Sequence, residues 1–331
     1  MNVYARDNKK MLNMLILEIL KEYTDADHRL TQQEIIDLLK LNYGAECDRR
    51  SIRNNIRSLQ DMGYDIATHG GCWLVERDFD DAELRMLIDS VLFSKNLSGV
   101  QAKRLIEKLK GFGNRYFHAK VAHVSNLPKL FHSDNKQVMV ALDTLNDAIE
   151  EKKKVSFIYN CYGTDFKLHP RRDEPYIVNP YHMVANNGRY YLIGNYDKYD
   201  DLSHYRIDRI TSVTMLSEQV KPKKDVREFA GGWSLPKHMA EHIYMYSGDS
   251  VTVKFIADTD LMDELIDWFG RDFHIKKESE NKMLVTLRCN ERAMKYWALQ
   301  YGGHIEIKEP QSLRETVKAT VLDMAKKYGG E

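Results

Sequence analysis

The stretch HYRIDRI, residues 204–210, sets Arg206, Asp208 and Arg209 in a segment that otherwise reads as a β-strand, with Ile207 and Ile210 available for burial. In a strand alternate side chains share a face, so Arg206 falls with Asp208, and Arg209 with Tyr205 and Ile207. Arg206 thereby has a local carboxylate, whereas Arg209 has none nearby in sequence. An unpaired arginine beside a tyrosine on a strand calls for a carboxylate, a phosphate or solvent.

The neighbouring chain supports strands on both sides. VSFIYN (155–160), FKLHPR (166–171), EPYIVNPYHMVANN (174–187) and GRYYLIGN (188–195) are rich in β-branched and aromatic residues and are separated by turn residues. With a helix over 136–150 before them, they predict a small barrel of strongly bent strands spanning residues 137–220. Tyr159, Tyr162, Tyr176, Tyr181, Tyr190, Tyr191, Tyr196, Tyr199 and Tyr205 lie in this short region together with Arg171, Arg172, His182, Arg189, Arg206 and Arg209. Tyrosine suits half-buried strands on its own account. Combined with arginines that can clamp phosphates, it marks a site for single-stranded nucleic acid or a nucleotide.

Downstream, residues 221–249 form a connector. From residue 250 the order is strand, helix, two strands, helix, strand, with a final helix over 312–327, the ferredoxin-like pattern. Upstream, Leu12, Leu15, Ile16, Ile19, Leu20 and Tyr23 make the stripe of an amphipathic helix. Thr31 and Glu34 form a T-x-x-E capping box for a second helix, and Asp48 is a good N-cap for a third that ends near Met62 and Gly63. YDIATHGGCWLV (64–75) then reads as a hairpin turning at Gly70 and Gly71. Three helices and a hairpin predict a winged helix-turn-helix over residues 1–77. Residues 78–136 are read as a helical linker, the stretch 118–136 being a histidine- and lysine-containing connector.

The third helix separates two surfaces. Ile52, Ile56 and Leu59 lie on one side, while Arg50, Arg53, Asn54 and Arg57 lie on the other, with Arg49 in the first turn and no acidic side chain from Arg49 to Gln60. Arginine can bond guanine bidentately and neutralise phosphate, and asparagine can bond adenine. A recognition helix built from Arg49, Arg50, Arg53, Asn54 and Arg57 is the expectation, with Thr68 and His69 at the hairpin tip reaching the adjacent groove or backbone.

Composition restricts the remaining function classes. Lysine plus arginine equals aspartate plus glutamate at 49 each in 331 residues, so attraction to nucleic acid must come from local patches rather than from net charge. The four cysteines show no C-x-x-C spacing and read as free thiols of a reducing compartment. The polar start MNVYARDNKK and the interrupted apolar run after it exclude a signal peptide or membrane span, and a cytoplasmic protein is expected. No P-loop, G-x-S-x-G or G-x-G-x-x-G occurs, and Asp143 and Asp147 read as solvated, so neither catalysis nor a cofactor is expected. HMAEH (238–242) matches the H-x-x-E-H zinc spacing. With no third ligand on a following long helix, it is read as a short exposed connecting helix without metal.

Several of these residues coincide with a known group. Tyr190-Tyr191-Leu192, YRIDRI (205–210) and IVNPYHMV (177–184) resemble the motifs of WYL-domain transcriptional regulators, with tyrosine replacing the first tryptophan of the naming tripeptide. The resemblance covers nearly the whole chain. It implies a multidomain α+β protein: a winged helix-turn-helix, a helical linker, an Sm-like β-barrel (WYL) and a ferredoxin-like C-terminal (WCX) domain over 250–331. It further implies a homodimer that binds double-stranded operator DNA and senses a single-stranded nucleic-acid fragment or nucleotide-like effector. The implied pocket contains Tyr191 and Arg206, with Arg209, His182, Tyr159 and Tyr190 as neighbours. Tyrosine at 190 keeps an aromatic face while altering ligand preference. The competing expectation is an accessory single-stranded nucleic-acid binder acting through the barrel alone.

Overall fold

The computed structural model describes residues 11–121, 135 and 137–329, and they fall into two compact units divided between Asp134 and Asn135. The first opens with α1 (Leu12–Tyr23), α2 (Gln32–Tyr43) and α3 (Arg49–Asp61). The capping box at Thr31 and Glu34 is formed on both sides, and the Asp48 side chain accepts from Ser51 N at 2.7 Å, so each helix starts where its sequence signal lies. Ile16, Ile19, Leu20, Ile35, Leu39, Ile52, Ile56 and Leu59 form the shared core. Full burial of such a side chain contributes about 1.5–3 kcal/mol.

Strands β1 (Ile66–Ala67) and β2 (Trp73–Leu74) follow as an antiparallel hairpin with Ala67 opposite Trp73. Gly71 adopts φ +117°, and a Cβ there would stand 2.8 Å from Arg29 Cβ. Only glycine meets both conditions, and the close approach lets Leu30 and Cys72 pair backbone to backbone. Helices α4 (Asp81–Leu92), α5 (Gly99–Lys110) and α6 (Arg115–Val121) bury Leu84, Ile88, Ile106 and Phe117. Most of the segment read as a connector, 122–134 and residue 136, lies outside the described residues.

The second unit begins its described helical structure with α7 (Val138–Glu150), whose Val138, Ala141, Leu145 and Ala148 lie against a curled sheet. That sheet contains β3 (Lys153–Tyr162), β4 (Leu168–Pro170), β5 (Tyr176–Asn186), β6 (Arg189–Tyr196) and β7 (Leu202–Arg206) in the order β4-β3-β5-β6-β7, while β8 (Ile210–Gln219) pairs with the other edge of β3. It is a half-barrel rather than a closed cylinder. The reading of HYRIDRI as one continuous strand is corrected here: β7 stops at Arg206, residues Ile207–Arg209 make a 3-10 turn, and the chain resumes as β8. Ile207 and Ile210 are both fully buried, and two residues three apart share a face in a 3-10 turn but not in a strand.

Residues 221–249 run over the outer face of β5, β6 and β7. Val226 and Met245, with Phe229, Trp233, Leu235 and Met239, cover Tyr181, Val184, Ile193 and Leu202. This connector includes the short helix α8 (Leu235–Glu241). The chain then makes β9 (Ser250–Asp258), α9 (Met262–Phe269), β10 (His274–Lys277), β11 (Lys282–Asn290), α10 (Glu291–Gln300), β12 (Ile305–Glu309) and α11 (Gln311–Lys327). The sheet order is β10-β11-β9-β12 with every neighbour antiparallel, around a core centred on Phe255, Phe269 and Trp297. Among the described residues no helix is long and apolar enough to cross a membrane.

Candidate functional site

On α3 the separation of surfaces is complete. Ile52, Ile56 and Leu59 are buried, whereas Arg49, Arg50, Arg53, Asn54 and Arg57 are all exposed. Arg49 donates to Gln33 Oε1 at 3.3 Å, a bond that ties the start of α3 to α2. His69 is exposed on the hairpin.

The residues of the curled sheet are arranged differently. Across β6 and β7, Arg206 lies directly opposite Tyr191, and Arg189 is two residues back on the same face. Asp208, projected from the 3-10 turn, takes both arginines: its Oδ1 accepts from Arg206 Nε at 3.0 Å, and its Oδ2 accepts from Arg206 Nη2 at 2.6 Å and Arg189 Nη1 at 2.9 Å. The Asp208 side chain is only 2% exposed, while the arginines keep about a fifth of their surface in solvent, at 20% and 19%. Burial pulls the Arg206 pKa down, but the bonds and charge of Asp208 outweigh it and the net shift is upward. Arg189 moves downward, from burial first and then from the adjacent Arg206 charge.

Tyr159 joins this group by accepting the Arg206 backbone N–H on its hydroxyl at 3.1 Å, and burial raises its pKa. Burial likewise raises Tyr191, so both phenols stay neutral donors at ordinary pH. Arg209 lies close enough to act electrostatically on Tyr159 and Arg189, and its Nε is buried with no hydrogen-bond partner among the described residues. Arg189 and Arg206 therefore share one carboxylate, and Arg209 adds its charge nearby, so positive charge is in excess. A group with several acceptor oxygens and negative charge complements that arrangement.

Two expected neighbours sit elsewhere. His182 shares the sheet face but lies in register with Ile193 and His204, where its ring stacks on Trp233 at 4.9 Å and its Nε2 accepts from Lys223 Nζ at 3.0 Å. Burial, then the lysine charge, lowers its pKa. Tyr190, being adjacent to Tyr191, points to the opposite face of β6 and is 39% exposed. Arg189 was counted among the arginines of this region but not among the expected pocket residues. Its position two residues before Tyr191 was the available signal.

The HMAEH segment also needs correction. His238 and His242 are buried at 6% each rather than exposed. His238 Nδ1 accepts from Trp233 Nε1 at 3.1 Å, its Nε2 meets His204 Nε2 at 2.8 Å, and its ring stacks on His242 at 4.0 Å. Burial lowers the pKa of His238 to about 3 and that of His204 well below the ordinary histidine value, with neighbouring histidines adding to both shifts. Among the described residues no cluster of three or more histidine, cysteine, aspartate or glutamate side chains has an arrangement able to hold a metal ion.

Comparison with known proteins adds names to these regions. The WYL domain family matches residues 140–215, and the WCX domain family matches residues 249–325. A curated relative, the "Uncharacterized HTH-type transcriptional regulator YobV" of Bacillus subtilis (strain 168), is 21% identical over 338 residues, covering 97% of this chain and 98% of that one. Among solved structures, proteasome accessory factor B/C (PafBC) of Arthrobacter aurescens matches with 15% identity and a TM-score of 0.29. The match covers 98% of this chain but half (50%) of that one. A "CRISPR Cas-related protein" matches with 14% identity and a TM-score of 0.41, over 99% of this chain and 88% of the other. At those scores neither structure serves as a template for this fold. The chain thus carries a WYL domain followed by a WCX domain.

Proposed function

We propose that this protein is a ligand-responsive transcriptional regulator that binds double-stranded operator DNA as a homodimer in the cytoplasm. Residues 1–77 act as a winged helix-turn-helix, 78–136 as a linker, 137–220 as an Sm-like effector-sensing barrel, 221–249 as a connector and 250–331 as a ferredoxin-like domain. The observation that carries the DNA-binding reading is α3, where three apolar residues are buried and every arginine from 49 to 57 is exposed. Arg49, Arg50, Arg53, Asn54 and Arg57 would enter the major groove, and His69 on the hairpin would meet the flanking backbone or groove. The similarity to an HTH-type regulator over nearly the full length of both chains supports this reading. For 250–331, support comes from the order β10-β11-β9-β12 with two helices in β-α-β-β-α-β succession.

In the barrel, the excess of guanidinium around Asp208 supports an anionic effector, a nucleic-acid fragment or a nucleotide-like molecule. Arg206, Arg209 and Tyr191 would contact it, with Tyr159 holding the strand and His182 and Tyr190 at the periphery. Coupling arises if the effector binds more tightly to one spacing of the two DNA-binding units than to the other. A second reading, an accessory binder of single-stranded nucleic acid, is favoured by the same cluster, because it needs no operator.

The test is a titration of duplex from upstream of the protein's own gene, with and without short single-stranded oligonucleotides. Specific duplex affinity that shifts with oligonucleotide, and no longer shifts in Arg206→Ala, supports both sites and their coupling. Oligonucleotide binding with no specific duplex across several candidate operators would replace the regulator with the accessory binder.

A further inference from the structure

A cavity that shares no lining residue with the Asp208 cluster lies between the connector and the first strand of the C-terminal sheet. Its volume is about 360 Å³, and it is bounded by the connector (Arg227–Ser234), α8 and the start of β9, with Arg288 of β11 closing one side. His238 and His242 form part of its wall, as does Trp233.

The residues that line it hold an unusual concentration of buried, unmet hydrogen-bond acceptors. Six buried side-chain polar atoms among the described residues have no partner, and three of them, Glu228 Oε2, Glu241 Oε1 and Ser250 Oγ, belong to residues that line this one cavity. Glu228 uses its other oxygen to accept from Leu202 N at 2.9 Å, which fixes the carboxylate and leaves Oε2 unengaged. Glu241 Oε1 is 3.2 Å from Arg288 Nε, within ion-pair distance but without hydrogen-bond geometry. A buried acceptor left unmatched costs about 1–3 kcal/mol, more if charged, so such a cluster favours an occupant that donates.

The lining carries three basic and three acidic side chains, and how they pair narrows the kind of donor. Arg227 is neutralised twice, by Asp201 and by Asp249 at 2.9 Å each, and Arg288 is opposed by Glu241. Glu228 has no ion-pair partner among the described residues, while the one lining cation in the same position, Lys237, is exposed at the rim. Trp233 adds an aromatic wall, and its indole N–H is already committed to His238. Carboxylate oxygens, a hydroxyl and an aromatic face are the features that recognise an ammonium or guanidinium group.

We propose that this cavity is a second effector site, for a small organic cation of the primary amine or guanidinium class. Glu228 and Glu241 accept its N–H groups, Ser250 Oγ takes a third, and Trp233 shields its hydrocarbon part. The site uses none of the residues assigned to the anion cluster. It reaches the same strand, however, because His238 in its wall contacts His204, two residues before Arg206 on β7.

The experiment is calorimetric titration of the full chain with putrescine and with agmatine, using inorganic phosphate as the anionic control, alongside thermal melts. Saturable binding of at least one amine is expected, weakened tenfold or more in Glu228→Gln and severalfold in Ser250→Ala. Ser250→Ala removes one hydroxyl and guards against a folding defect in the glutamate variant. Absence of binding by both amines, or equal binding by wild type and both variants, overturns the site; phosphate binding lost in Glu228→Gln overturns the ligand class. Amine binding that persists in Arg206→Ala separates this site from the anion cluster, so either can fail alone.

Discussion

The arginines of α3 and those of the curled sheet after α7 illustrate two uses of one side chain. On α3 they are exposed and lean on little besides one bond to Gln33. On the curled sheet, Arg189 and Arg206 are four-fifths withdrawn from water and bolted to a single buried carboxylate. The first arrangement costs little in the free protein and suits phosphates that can be approached in many ways. The second fixes the fork geometry before any ligand arrives, so less conformational freedom is lost on binding, and the fold bears the desolvation instead. In a chain whose total charge is zero, both positive surfaces are local constructions.

The sharpest way to break this contrast is to remove the carboxylate. Asp208→Asn leaves Arg189 and Arg206 without their counter-charge, and breaking a buried pair costs about 3–5 kcal/mol. Because the arginines retain some solvent, the expected loss is about 2–4 kcal/mol. Three of the four tryptophans, Trp233, Trp268 and Trp297, lie in the same compact unit, so denaturant unfolding followed by their fluorescence reads the effect. An undiminished midpoint would mean that Asp208 is not the anchor of the cluster.

Acid probes a second buried polar group in the same unit. Histidines that fold neutral with a depressed pKa stabilise the protein above their unfolded value near 6.5, and that stability disappears as pH falls through the folded value. For His204 and His238 the window runs downward from about pH 6.5 toward the lowered values, about 3 for His238. Each contributes a slope of up to about 1.4 kcal/mol per pH unit there. His204→Gln removes one titrating ring, so stability measured from pH 7 to 5 falls less steeply than in wild type. Parallel profiles would exclude the histidine cluster as their source.

The α3 arginines predict the converse signature. Arg53→Ala and Arg57→Ala should each reduce duplex affinity by about 1–2 kcal/mol, roughly tenfold, and reduce the salt slope by about 1 for each phosphate that is no longer neutralised. Both side chains are exposed, so stability should stay within about 0.5 kcal/mol of wild type. Affinity measured between low and moderate salt, with melts on the same samples, distinguishes this from the Asp208 cluster, where loss of charge lowers stability first.

The two surfaces were unequally legible in sequence for a physical reason. The stripe of Ile52, Ile56 and Leu59 and the caps at Thr31 and Asp48 are local signals, and the helices start on them. The pairing of Arg206 with Asp208 was also local, although a 3-10 turn and not a strand delivers it. The spacing of Ile207 and Ile210 carried that information, because residues three apart cannot face one side of a strand. The two-residue spacing of Arg189 from Tyr191 gave only its face; its pairing with Asp208, like the burial of His238 and His242, depends on contacts between segments 19 and 34 residues apart, which no local period reports. The connector 221–249 and its short helix were read as exposed, whereas Phe229 and Trp233 before that helix lie against the sheet.

The smallest effect tests whether the first turn of α3 faces DNA at all. Asp48 caps the helix through Ser51 N, and its carboxylate, fully exposed, is held below the usual range first by that backbone bond. Asparagine caps a helix about as well. Asp48→Asn therefore preserves the fold while removing a negative charge next to Arg49 and Arg50. If this turn meets the phosphate backbone, duplex affinity rises, by no more than about fivefold at low salt because exposed charges interact weakly, and the gain shrinks as the screening length shortens toward molar salt. If the turn faces away, affinity is unchanged at every salt concentration even where Arg53→Ala and Arg57→Ala weaken binding. That result would move the DNA-facing surface toward the C-terminal half of α3, leaving Arg49 and Arg50 to solvent.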